Sequence, residues 1–179
     1  LGGASFIKVE GTNFTDSLIV GHATTGTLNA ATGNTIVGID AGDAIAGGDY
    51  NVMVGYAAGT AVTSGTTSVY VGKYAGQVAT SPTGCVAIGN NTLGDADPGN
   101  YNVVVGINAG KAITGASNLC LGSYAGDNIT SGSGNVVIGK ADVSSATGDD
   151  QLSISDGEDG SVVWMTGDSS AKLTFPGAL

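Results

Sequence analysis

Arginine is absent from this chain, and histidine occurs once, at His22. A single imidazole removes most metal-ligand sets and the Ser-His-Asp and Cys-His mechanisms, so no catalytic, metal or cofactor-binding residue is expected. His22 is read as a surface or rung-end side chain. Five lysines face fifteen acidic residues, and a formal charge of −10 would repel nucleic acid and anionic membranes. No apolar run approaches the ~18 to 20 residues of a spanning helix, so membrane insertion is not expected. The start Leu1-Gly2-Gly3-Ala4 lacks the basic and apolar parts of a signal peptide and reads as a processed end or part of something longer. Cysteine is scarce too. Cys85 and Cys120 fall in different columns of the pattern described next, which argues for two buried thiols rather than a disulfide.

Glycine is what the chain has in excess. Thirty-two glycines argue against helices, because each interior glycine costs about 1 kcal/mol relative to alanine. Disorder is opposed by 41% hydrophobic residues and a mean hydropathy of +0.22. The glycines also keep time. The phrase Asn102-Val103-Val104-Val105-Gly106 returns along the chain, and its closing glycine recurs as Gly21, Gly38, Gly55, Gly72, Gly89, Gly106, Gly122 and Gly139, at steps of 17 residues with one of 16. A fixed period of this size is the mark of a solenoid, whose repeats bury their apolar faces by stacking. The expected fold is therefore all-β, a parallel β-roll or β-solenoid with 16–17-residue rungs. Residues 1–16 form a leading strand or cap, 17–155 the repeat domain, and 156–179 a C-terminal hairpin or connector.

Stacking the repeats shows columns. Four positions before the glycine stand mostly asparagines (Asn34, Asn51, Asn102, Asn118, Asn135), which can form hydrogen-bonded ladders. Three before it and one before it stand branched residues such as Val52 and Val54, two apart and therefore on one face, expected to fill the coil. Leu152 and Ile154 continue them in a last, degenerate rung. The column between (Ile19, Ile36, Met53, Tyr70, Ala87, Val104, Cys120, Val137) is then expected to point outward. Not one of these residues is charged, so an outward stripe of them needs cover, and they are the expected oligomer interface between identical chains. After the glycine an Ala-Gly pair (Ala41-Gly42, Ala58-Gly59, Ala75-Gly76, Ala109-Gly110, Ala125-Gly126) begins an opposite wall, read as a second strand. The fifth repeat lacks that pair and carries Pro98, which predicts a distorted loop there.

Phrases such as Asn51-Val52-Met53-Val54-Gly55-Tyr56-Ala57-Ala58-Gly59 and Asn135-Val136-Val137-Ile138-Gly139 resemble the β-roll heads of trimeric autotransporter adhesins and the similar repeats of phage tail fibres. The resemblance covers residues 17–155. It implies a left-handed roll, a homotrimer, and a role in host or surface attachment on a virion appendage or an extracellular surface. The longer period and the Ala-Gly phrase make a phage fibre the closer match. Ser153 to Gly160 and the Trp164 strand resemble the segment that joins fibre repeats to a later domain.

Three functions compete on these residues. The favoured one is a non-enzymatic structural and attachment segment, whose partners are identical chains and a host-surface glycan or protein. Candidate glycan contacts are Tyr56, Tyr74 and Tyr124, which otherwise pack over glycine-rich turns. An ice- or surface-binding solenoid would use a flat array of threonines, but Thr63, Thr80, Thr114 and Thr130 form one column interrupted by Ala46 and Asp97. A polysaccharide-degrading tailspike would need paired carboxylates in a cleft. The clusters Asp95/Asp97, Asp149/Asp150 and Asp156/Glu158/Asp159 read instead as solvated turns, since none has EF-hand spacing.

Overall fold

The computed structural model describes residues 7–11, 14–21 and 29–177. His22, read as a surface or rung-end side chain, lies outside the described residues. The strands are β1 (Ile7–Gly11), β2 (Phe14–Val20), β3 (Ala31–Thr32), β4 (Thr35–Val37), β5 (Val52–Val54), β6 (Val69–Val71), β7 (Val86–Ile88), β8 (Val103–Val105), β9 (Leu119–Leu121), β10 (Val136–Ile138), β11 (Leu152–Ser155), β12 (Val163–Gly167) and β13 (Leu173–Thr174). They make one sheet in chain order, with β3 as a side branch on β2. From β2 to β11 each strand pairs in parallel with the strand one repeat later, for example Val52↔Val69, Met53↔Tyr70 and Val54↔Val71. The chain is thus a parallel β-solenoid of about eight turns. β1 closes one end by antiparallel pairing with β2, and the β12–β13 hairpin adds antiparallel strands at the other.

From β4 to β10 each rung has one strand of three residues, where two short strands were expected. The Ala-Gly phrase opens a run of tight turns, with Ile45 N–H donating to Gly42 O and Val62 N–H to Gly59 O, both at 3.0 Å. That wall is nevertheless stitched rung to rung, Gly42 N–H to Ala58 O and Gly59 N–H to Ala75 O at 2.9 Å. Glycine is required at the corner. At Gly55 φ is +133°, and a Cβ there would sit 2.6 Å from the Gly72 carbonyl oxygen, so the rungs could not close to strand spacing.

The interior is the reverse of the alternation assigned from sequence. Ile19, Ile36, Met53, Tyr70, Ala87, Val104, Cys120 and Val137 are the core, none more than 2% exposed. They are not an oligomer interface, because their own chain covers them. The flanking columns, Leu152 and Ile154 included, face outward. Alternation says which residues share a face, not which face is inside. The signal that decides it is the asparagine column, which has the parity of the middle residue. Asn51 Nδ2 donates to Gly65 O at 2.8 Å and to Asn34 Oδ1 at 3.1 Å, and Asn51 N–H donates to Asn34 Oδ1 at 2.9 Å. An amide that bonds the backbone of the coil's opposite corner must point inward, and the residue two later points the same way. The coil is thin enough that one strand residue per rung, with Ala41 and Ile45 or their equivalents from the turn wall, fills it.

Rung volumes compensate for one another. Tyr70, the largest core side chain, shares its rung with Ala75 and Ala79 and is followed by Ala87. In the fifth repeat Leu93 takes the place of the missing Ala-Gly glycine and is fully buried beside that small Ala87. The expected distortion there is contained. Leu93 N–H still reaches Ala109 O at 3.3 Å, Asp95 N–H reaches Lys111 O at 2.9 Å, and Gly99 N–H bonds Thr114 O at 3.1 Å just past Pro98.

Candidate functional site

The outer face of the sheet carries two aliphatic residues per rung, because the middle residue of each strand is committed to the core. Leu18 and Val20, Thr35 and Val37, Val52 and Val54, Val69 and Val71, and Val86 and Ile88 begin it. It continues through Val103 and Val105, Leu119 and Leu121, Val136 and Ile138, and Leu152 and Ile154. Thr35 is the one polar member, and no charge interrupts the stripe. Every member is at least partly open to solvent, with Ile88, Val103, Leu121 and Ile138 at 36–39%. In an ordinary one-layer sheet this face would be polar.

The stripe runs on into the C-terminal hairpin. Met165 pairs with Ile154 and Gly167 with Leu152. A Cβ at Gly167 would lie 3.1 Å from Leu152 Cβ and 3.2 Å from Leu173 Cδ2, which places Leu173 on the same face. Val162, Trp164, Leu173 and Phe175 are each 53–57% exposed, four bare large apolar side chains within 14 residues.

The tyrosines named from sequence lie at a different corner. Tyr56 and Tyr74, on successive rungs, meet edge to face with centroids 5.4 Å apart, and Lys73 Nζ sits 4.7 Å from the Tyr74 ring centre. The Tyr74 phenol and then the Asp40 carboxylate push the Tyr56 hydroxyl above its ordinary pKa. Tyr124 stands three rungs away under Lys140, at 5.4 Å, beside a cavity of about 180 Å³ that Asp127, Asp142 and Asp159 also line. The three rings are therefore two sites, not one.

Polar side chains on the corners are largely spent on the coil itself. Thr63, Thr114 and Thr130 donate their hydroxyls to the Thr80, Thr130 and Ala146 carbonyls at 3.1–3.3 Å, and Thr80 donates to Asp97 Oδ2 at 2.6 Å. Asp97 also accepts Thr80 N–H, and Asp149 accepts Ser133 N–H. Asp156 gathers the Glu158, Asp159 and Gly160 N–H groups on Oδ1 at 3.0 Å and Val162 N–H on Oδ2 at 2.7 Å. These donors lower its pKa to about 2. Cys85 and Cys120 are free and buried, and burial pushes the Cys120 thiol up to about 12.

The chemistry this arrangement offers most plainly is burial of a flat, rigid, aliphatic strip. Sequence reasoning saw that an apolar stripe was left over but named the wrong column for it. Compared with protein-family models, with curated proteins and with solved structures, the chain gives no match.

Proposed function

We propose that this chain is a non-enzymatic structural and attachment segment of a phage tail fibre or similar surface appendage, a stiff rod that works as identical copies packed side by side. The observation that carries this reading is the uncharged aliphatic stripe along the whole ladder. Nine strands spaced ~4.8 Å apart make it about 40 Å long, and at ~10 Å wide it exposes on the order of 400 Å². A partner must match that length and that spacing to seat branched side chains between rungs, and a second copy does so by construction. The resemblance to fibre and adhesin repeats supports three copies, a left-handed winding, and a location on a virion or extracellular surface. The Tyr56–Tyr74 corner, on the far side of the rung's glycine from the stripe, is free to stack on a host-surface glycan. An ice-binding role is disfavoured because the threonine hydroxyls are turned into the ladder.

Light scattering on the purified chain tests the assembly. Three chains of 17.3 kDa should give about 52 kDa. Ile88→Lys with Leu121→Lys should bring the mass to that of one chain at unchanged strand content. Ile107→Lys, at a 51% exposed position off the stripe, should leave it alone. A monomeric unmodified chain would sink the reading.

A further inference from the structure

We infer that the β12–β13 hairpin is a clasp that ties the side-by-side copies together at one end by packing against the same hairpin of its neighbours. The inference rests on the side-by-side reading above. Its first ground is that the hairpin is too bare to stand as it is. It is joined to the coil through β12 alone, its outer strand β13 has two residues, and every residue from 171 to 177 is exposed. A hairpin whose outer strand is this short and exposed adds little stability of its own in water. Its tip, Asp168 to Ser170, is polar as a free hairpin tip should be, yet Val162, Trp164, Leu173 and Phe175 on either side of that tip are bare as well.

The second ground is area. A specific interface takes ~800 Å² from each partner, and a stripe of ~400 Å² supplies about half of that. Aromatic side chains bury ~150 to 250 Å² each, so the half-exposed Trp164 and Phe175, together with the smaller Val162 and Leu173, supply roughly the remainder. The third ground is continuity, since Met165 and Leu173 carry the aliphatic face from Ile154 and Leu152 straight into the hairpin. Only a parallel arrangement brings hairpin to hairpin. Antiparallel copies would set each one against the β1–β2 end of its neighbour.

Trp164 is the only tryptophan, so its emission reports the clasp directly. In the assembled chain it should be blue-shifted and poorly quenched by acrylamide. In the Ile88→Lys/Leu121→Lys chain it should be red-shifted and quenched several-fold more. Direction is read by disulfide trapping with Val54→Cys, Ile138→Cys and Leu173→Cys, one at a time, since the two native thiols are buried. Each variant should cross-link to itself under mild oxidation. Trp164→Ser with Phe175→Ser should raise the concentration needed for assembly at least tenfold without loss of strand content. Assembly in which Trp164 stays open, or in which Val54→Cys fails to link to itself but links to Ile138→Cys when the two variants are mixed before assembly, would overturn the clasp while leaving the bundle standing. A chain that is monomeric at all concentrations would remove both.

Discussion

Val104 and Val105 are adjacent valines with opposite surroundings, the first fully buried and the second partly open on the outer stripe. The same substitution at the two positions therefore separates folding from assembly. Val104→Asp puts an unpaired carboxylate among Ala109, Ile113 and the neighbouring rungs, where burial of such a group costs several kcal/mol. We expect it to lower the unfolding midpoint severely. Val105→Asp leaves the carboxylate in water in the single chain, so the expected loss of fold stability is under about 1 kcal/mol while assembly weakens. Denaturant unfolding of both variants checks the pair, and equal losses would mean that the inside of the coil has been misassigned. Alternation made the two valines look interchangeable. What told them apart was Asn102, two residues before Val104, whose amide reaches Gly115 O at 2.9 Å across the coil.

At the scale of the rung, the last turns near residue 140 are where electrostatics bears on stability. Burial, and then the neighbouring Asp127 carboxylate, raise the pKa of Asp142 above its ordinary value. Lys111 Nζ lies 4.0 Å from Asp127 Oδ2, at the outer limit of an ion pair. A raised carboxyl binds its proton more tightly in the folded chain. Its contribution is thus present at acid pH and is lost as the pH rises through the folded pKa. Asp142→Asn should raise the melting temperature at neutral pH and remove that part of the pH dependence, keeping the acceptor for Asn128 N–H. Asp156 has the opposite sign. Its four N–H donors hold the 156–162 loop above the ordinary carboxyl range, and that hold is lost as the pH falls toward about 2. Protection factors of the amides in this loop, taken relative to the slower intrinsic exchange at low pH, should fall on acidification while those of Val136–Ile138 hold. An unchanged melting profile for Asp142→Asn would remove the paired-acid account.

For the whole molecule, each added copy brings a further charge of −10 to a rod whose stripe carries none. Assembly through this face is driven by apolar burial and opposed by long-range repulsion, which salt screens over about 10 Å at 0.1 M. Association should therefore tighten as sodium chloride is raised, the reverse of an interface held by ion pairs. Sedimentation at two ionic strengths checks this, and dissociation at high salt would point to a charged interface elsewhere on the rod.

The period, the parallel sheet and the absence of helices among the described residues were legible in the sequence, because a glycine every 17 residues and a branched triplet before it leave few other ways to stack a chain. The asparagine ladder was legible for the same reason. Tertiary structure alone decided which face is inside, that the Ala-Gly wall is turns rather than strand, and that Leu93 repairs the fifth rung. These depend on how thin the coil is. Its width is set by contacts across it, such as the bond from Asn51 to Gly65, between residues whose relation no local pattern states. The stripe itself was foreseen as a need for cover, and its residues emerged once one side chain per strand proved enough to fill the core.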